Sequence, residues 1–350
     1  MNSDPKYTDH VQPDEISLQE LFMALWKRKI LIIVITLIAG LAAGLFSIFA
    51  IKPVYHSRLN IIINMPVTYT TKYGDYVLPI SSNDQYISLI TSNDILKNTI
   101  IDMGYDPEEN SIEALRDRIT IVKPSENNAV QNSFYINVAS DDPEDARKLA
   151  EVLYRNYIEF IDSMVAEGTA AYFIDYYTVS LNTLRVQLES DKELLEKNRK
   201  LLETIPRTII QGDAMQDTVL SDRSTDYIVV ENIINPNYTE LELDILELKQ
   251  AINETESNMK QYNQYIKELE AEQNMISDYF RTGDFSGLSD SIVRITTSNI
   301  YLPSEPVAPF RKSSPNNVRN ALIGILIGGV VSVLIALIKE FWFTKSTLQS

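Results

Sequence analysis

The chain has 350 residues, no cysteine, two histidines and a formal net charge of −17. That length suits one or two domains with cores of their own, and the lack of cysteine excludes disulfides and thiolate metal sites. The acidity excludes nucleic acid as a partner held by charge, because a phosphate backbone requires a basic surface.

Residues 1–29 read as a short polar tail ending in Lys27, Arg28 and Lys29. Ile30 to Ile51 follows as an uncharged apolar run, long enough to cross a hydrocarbon core as a first transmembrane helix. A cleaved signal peptide is the competing reading, but its apolar stretch would be too long and its leading region too acidic. The basic cluster places the tail in the cytoplasm. A second run, Ala321 to Ile338, lies between Arg319 and Lys339. Its flanks give a mixed signal, since Arg311, Lys312 and Arg319 precede it and Lys339 and Lys345 follow it. The first span therefore sets the orientation, because long domains translocate largely regardless of charge. Both tails, 1–29 and 339–350, are expected in the cytoplasm, with residues 53–317 outside. The two tails nearly cancel, so the exterior part carries the acidity. It holds no anionic polymer by charge alone.

The exterior part begins with "VYHSRLNIIIN", Val54 to Asn64, which is β-branched and aromatic and reads as a strand. Residues 81–104 read as one helix, with Ile87, Ile90, Leu96, Ile100 and Met103 on a face and Gly104 as its stop. "RITIV" and "SFYINVAS" read as two more strands. In "DDPEDARKLAEVLYRNYIEFIDSM", Asp142 is a helix cap and Pro143 fits the first helical position. Glu144 and Asp145 face the positive end of the helix dipole. Leu149, Leu153, Tyr157, Phe160 and Met164 give that helix its apolar face. Residues 52–170 thus form an α+β base. Residues 282–302, with "SDSIVRITTSNIYLP", are expected to return as a strand in the same membrane-proximal sheet as the first.

Residues 171–281 differ in kind. Leu181, Leu188, Leu195 and Leu202 recur every seven residues, with Leu184 and Ile205 at alternate seam positions and Asp191 and Asn198 interrupting. A longer pattern runs Leu241, Ile245, Leu248, Ile252, Thr255, Met259, Tyr262, Ile266, Leu269, Gln273, Ile276 and Phe280. Such spacing marks a coiled-coil seam. Two antiparallel arms are expected, joined by a distal cap over 206–237 with structure of its own around "DYIVVENII". The heptads fit a plain stalk as well as a contact surface. The polar seam residues fit register control as well as tolerated defects.

No zinc-protease, serine-hydrolase, phosphate-loop or dinucleotide motif occurs. The carboxylates of "DDPEDA" read as a helix start and those of "ELEAE" as a solvated helix face. The expectation is a membrane protein that is not an enzyme, with no cofactor, no metal and no catalytic residue.

The segment 303–320 concentrates prolines just before the second span. Pro306, Pro309 and Pro315 fix φ and cannot donate to a sheet, so they end the last strand and hold an extended path to the bilayer. Gly324 and Gly328, with Gly329 beside them, flatten one face of the span so that another helix can pack closely. The competing reading is that glycine is simply frequent in spans.

The whole order resembles the polysaccharide co-polymerases, the Wzz-type chain-length determinant family. That order is tail, span, α+β base, long helical hairpin, strand, proline-rich segment and span. "EISLQELFMALWKRKILIIV" with "KPVYHSRLNIII" is similar to the family's first-span signature, and "ASDDPEDARKLAEVLYRNY" to its DP-x-x-A helix. Pro306, Pro309, Ser314 and Pro315 ahead of Gly324 and Gly328 are the most specific match. Asn316 stands where the family usually carries a lysine after the last proline. The resemblance implies an α+β membrane-proximal domain with a long antiparallel coiled-coil hairpin between two transmembrane helices. It implies a closed homo-oligomer in the bacterial cytoplasmic (inner) membrane with its large domain on the periplasmic side. There it would set the length of a surface polysaccharide of O-antigen, enterobacterial common antigen or capsule type. A separate glycan polymerase in the membrane and the growing lipid-linked polysaccharide would be its partners, and Pro306, Pro309, Pro315, Gly324 and Gly328 its candidate functional residues. One alternative is a transmembrane activator of a separate cytoplasmic tyrosine kinase, touching it through Phe341 to Ser350. Residues 339–350 leave no room for a fused kinase domain. Another alternative is a coiled-coil adaptor of an export pump.

Overall fold

The structure, a computed structural model, describes residues 18–122, 132–210, 232–289, 292 and 294–340. Helices α1 (Leu18–Lys27) and α2 (Lys29–Phe49) lead into strand β1 (Tyr55–Ile63). A hairpin of β2 (Thr68–Thr71) and β3 (Gly74–Val77) follows, then α3 (Asn83–Ser88) and α4 (Asn93–Met103). Next come α5 (Ile112–Asp117), β4 (Ile119–Val122) and β5 (Ser133–Ser140). A long helix, α6 (Pro143–Thr204), runs out, and strands β6 (Thr208–Ile210) and β7 (Asn232–Ile234) pair near its far end. Helix α7 (Pro236–Thr282) runs back, followed by α8 (Thr296–Asn299), β8 (Ile300–Tyr301) and α9 (Asn317–Ile338). The α+β base, the helical hairpin and two apolar helices at the ends are the fold class read from the sequence.

The base is a four-stranded sheet in the order β4-β5-β1-β8, with β1 antiparallel to both β5 and β8. β1 alternates Leu59, Ile61 and Ile63 inward, and β5 alternates Phe134, Ile136 and Val138. These meet Leu149, Leu153, Tyr157 and Ile161 of α6 and Ile95, Leu96 and Ile100 of α4 in one core. Asp142 caps α6 by accepting from the backbone of Glu144 and Asp145 at 2.9 and 3.0 Å.

The segment over residues 81–104 divides in two, because the Ser92 backbone is extended between α3 and α4. Gly104 stops α4 at φ 69°, a left-handed conformation that costs glycine nothing. The base helix and the first hairpin arm are one continuous helix of 62 residues rather than two pieces. At 1.5 Å per residue α6 spans about 90 Å and α7 about 70 Å. The arms pack through Leu195, Leu241, Ile245 and Ile252, with Leu188, Leu202, Ile205 and Leu248 half-buried beside them. Gln273 is exposed and leaves the seam, while its neighbour Glu272 turns inward. There α7 also meets the β2–β3 hairpin: Lys72 pairs with Glu268, and Tyr73 packs against Tyr265. A second surface replaces the strict seam. Of the expected cap over 206–237, residues 206–210 and 232–237 fall among the described residues, where β6 and β7 pair.

The return over 282–302 does join the sheet beside β1, as expected, but the extent of its strand is a correction. Among the described residues of this segment only Ile300 and Tyr301 form strand; Phe285, Leu288 and Ile292 follow helical turns and bury against Ile276 and Tyr279. Burial on the helix bases overrides the β-branched composition. Asp162 of α6, whose side chain is fully buried, fixes this return. It accepts from the Thr296 backbone at 2.9 Å, the Thr296 hydroxyl at 2.8 Å and Arg294 Nε at 3.1 Å. Burial pushes its carboxyl above the usual range, against the lowering pull of those three donors. A raised pKa means the folded state holds this proton more tightly than the unfolded chain. Its contribution to stability is therefore complete below the ordinary carboxylate range and is lost as pH rises through the raised value. Asp162→Ala is expected to destabilise the base by about 2–4 kcal/mol, because Thr296 and Arg294 lose a buried partner. Thermal unfolding in detergent measures this, and a midpoint equal to wild type would contradict it.

Candidate functional site: the membrane-entry segment and the paired end helices

After β8 the chain turns back along β1 toward the end helices. Pro306 and Pro315 are buried and Pro309 is half-buried. Ser57 Oγ donates to the Val307 carbonyl at 3.1 Å. Ser313 N donates to the Val54 carbonyl at 2.8 Å, and Val54 N to the Ser314 carbonyl at 2.9 Å. Prolines cannot supply such backbone donors, so side-chain and flanking bonds carry the attachment. The segment is a strap, tied at two heights to the strand that rises from α2.

Asn316 then caps α9, its side chain accepting from Arg319 N at 3.1 Å. A polar cluster joins the helices here: Ser47 Oγ donates to Asn317 Oδ1 at 3.0 Å, and Asn320 Nδ2 donates to Ser47 Oγ at 2.8 Å. One to two turns further, Gly324 and Gly328 meet α2. A Cβ on Gly324 would lie 2.4 Å from Ala43 Cβ and 2.9 Å from the Ala39 carbonyl oxygen. A Cβ on Gly328 would lie 2.4 Å from Ala39 Cβ. Thr36 and Ser332 face each other at 3.3 Å between hydroxyls. At the far end Glu340 accepts from Lys27 at 2.7 Å and Arg28 at 3.1 Å.

The helix that packs on the glycine face is therefore the chain's own α2. The five residues singled out from the sequence fall along one connected path, Pro306 and Pro309 on the strap and Pro315, Gly324 and Gly328 from its foot down α9. The sequence reading missed the matching face, Ala39, Gly40, Ala43 and Ser47. The signal was present in "AGLAAGLFS", which repeats small residues every four positions, the spacing that lets helices approach in lipid. Outward, both helices expose isoleucine, leucine and valine over most of their length, and both are long and apolar enough to cross a membrane.

At the base end of β1 lies a cavity of about 600 Å³ lined by Lys52, Tyr105, Arg118, Ser140 and Asp145, among others. Asp145 accepts from Tyr105 at 2.7 Å, Ser140 at 2.5 Å and Arg118 at 3.2 Å. Burial, then the bond to Asp145, pushes the Tyr105 phenol up. This network locks the start of α6 to the sheet end, a positioning role that needs no exchangeable proton.

The architecture defines a class: a base domain carrying a long helical arm, tied by a strap to two apolar helices. The family model described as Wzz: Chain length determinant protein matches residues 14–103, the stretch from just ahead of α1 through α4. Over this stretch the chain is similar to the Wzz-type chain length determinants, in line with the resemblance read from its sequence. It is 27% identical over 154 residues to the probable capsular polysaccharide biosynthesis protein YwqC of Bacillus subtilis, covering 43% of this chain. It is 28% identical over 144 residues to the capsular polysaccharide biosynthesis protein CpsC of Streptococcus pneumoniae, covering 40% of this chain. The matched stretch spans 59% of each of those relatives. A solved full-length bacterial polysaccharide co-polymerase aligns over 93% of this chain and 97% of its own, at 16% identity and a TM-score of 0.40.

Proposed function

We propose that the chain regulates the length of a surface polysaccharide as a non-enzymatic, oligomeric scaffold for a separate membrane polymerase that extends lipid-linked glycan. The observation that carries this reading is the family match over residues 14–103. The names of the two relatives favour a capsule-type glycan. The orientation read from Lys27, Arg28 and Lys29 puts the base and hairpin on the exterior of the inner membrane.

Self-association has its own support. On α6, Tyr172, Tyr176, Val179, Val186, Leu194 and Leu201 are all exposed. At 100° per residue they fall within about 80° of one another, a second apolar stripe turned away from α7. A stripe repeated along some 45 Å of helix needs a cover in water, and a second copy supplies one at every subunit of a closed ring. The test of the function is a gel profile of surface glycan from cells with and without the chain. Loss of the modal length is the expected result, and an unchanged profile would overturn the reading.

A second reading, activation of a separate cytoplasmic kinase, draws on the Glu340 contacts with Lys27 and Arg28. They hold the cytoplasmic ends of the two helices side by side, so one partner could read both. Its proposed contact, Phe341 to Ser350, lies outside the described residues. Truncation after Glu340 separates the two: the scaffold keeps its length profile, whereas an activator loses tyrosine phosphorylation in its partner.

A further inference from the structure

Phe310 is fully exposed, at 103% relative accessibility, and Val307 beside it is 69% exposed. Water is an unfavourable neighbour for both. Their place in the fold fixes what else is near. Two residues on, Lys312 Nζ donates to Asn317 Oδ1 at 3.3 Å, and Asn317 is the first residue of α9. Ser313 N is bonded to the carbonyl of Val54, and Ser47 Oγ bonds Asn317. Phe310 thus lies on the strap between its ties to Ser57 and Val54, residues a few positions beyond Phe49, which closes α2 with its own ring exposed.

The charges beside it are out of keeping with the rest of the exterior part. Arg311 and Lys312 are exposed, and among the described residues neither forms an ion pair with a carboxylate. In an acidic domain two adjacent cations with no carboxylate partner among the described residues suit an anion that the protein itself does not provide. They also explain the mixed flank of the second span: positive charge on the exterior side runs against the usual asymmetry unless it has a use there.

We propose that Phe310, Arg311 and Lys312 form a lipid-contacting foot, in which the Phe310 ring enters the interfacial layer of the outer leaflet and the two cations meet lipid phosphates. An apolar ring beside basic side chains is the chemistry of interfacial membrane contact. The foot sits between the strap and α9, so it fixes how deep the strap meets the bilayer. It rests on the two-span reading and not on the glycan assignment.

The test uses the full chain carrying Trp26→Phe and Trp342→Phe, with Phe310→Trp as the sole indole, in vesicles of phosphatidylcholine and phosphatidylglycerol. Lipids carry a quencher either just below the headgroup or at the acyl-chain end. The expected result is blue-shifted emission that loses about half its intensity to the shallow quencher and little to the deep one, as an interfacial ring requires. Val77→Trp in the same background, on the β2–β3 hairpin, should show aqueous emission and no lipid quenching. Adding Arg311→Glu and Lys312→Glu should reduce the shallow quenching. Aqueous, unquenched emission from Trp at 310 would overturn the proposal. So would a blue-shifted emission that neither lipid quencher reaches, since a neighbouring copy would then be the cover.

Discussion

Gly324→Leu with Gly328→Leu is expected to separate the two end helices and to shift the glycan length distribution sharply, at normal expression and membrane insertion. Leucine is at least as apolar as glycine, so insertion survives. The close approach does not. Even a Cβ at 324 would lie 2.9 Å from the backbone oxygen of Ala39, which cannot rotate away, and 2.4 Å from Ala43 Cβ. Overpacking of this kind costs about 1–3 kcal/mol at each site. A chain without cysteine allows a direct readout. Thr36→Cys with Ser332→Cys places two thiols where the hydroxyls stand 3.3 Å apart, and they should form a disulfide under mild oxidation. The leucine pair should lower that yield at least tenfold, since each 1.4 kcal/mol of the combined cost corresponds to about that factor. Gly329→Ala, whose Cβ would meet nothing nearer than Thr36 Oγ1 at 4.0 Å, should change neither readout. If the disulfide is lost but glycan length holds, length control lives in the exterior part. If the disulfide persists, the helices tolerate the leucines and the packing argument fails.

What the sequence disclosed follows from which forces act locally. The end helices, the α6 cap at Asp142 and the alternation of β1 and β5 are set by neighbours in sequence, and all were legible there. The path of the return before β8 was not, although its place in the sheet beside β1 was. "SIVRITT" has strand composition, yet its path is fixed by Asp162, 134 residues away from Thr296, and by the apolar faces of Ile276 and Tyr279. That the base helix and the first arm form one helix was not legible for a related reason. The apolar pattern changes near Gly168 from a globular face to a seam, which reads as a boundary. The helix continues because one glycine costs only about 1 kcal/mol in an otherwise helical run. Its missing side chain admits Tyr76, whose hydroxyl would lie 2.5 Å from a Cβ there. Gln273 fitted the heptad count but not the packing, since near the base α7 serves two surfaces. Of the membrane-entry path, the prolines and glycines were visible as composition. Their partner face on α2 was overlooked because that run was read for length alone.

The outward stripe of α6 makes the remaining large effect. The proposed closed oligomer should appear in mild detergent as one particle larger than a dimer, and Val179→Glu with Val186→Glu is expected to reduce it to a monomer of unchanged helix content. Both valines are exposed in the single chain, so each new carboxylate stays in water when the chain stands alone and the fold loses nothing. In an assembly each carboxylate would be taken out of water without a partner, a penalty of several kcal/mol per charge. A closed ring repeats that penalty at every interface, so two substitutions per chain suffice. Leu188→Glu is the contrasting variant. Leu188 packs in the seam against the cluster of Leu195, Leu241 and Ile245, so its replacement should loosen the hairpin itself and lower helix content. The two variants thus separate an interface between copies from a seam within one. Mass measured by light scattering, beside circular dichroism, reads both. A Val179→Glu, Val186→Glu chain that still forms the full particle would place the contact between copies elsewhere and leave the stripe unexplained. If it is monomeric, the same cells should show the glycan profile of the deletion strain, because a scaffold that cannot assemble presents the polymerase with single arms.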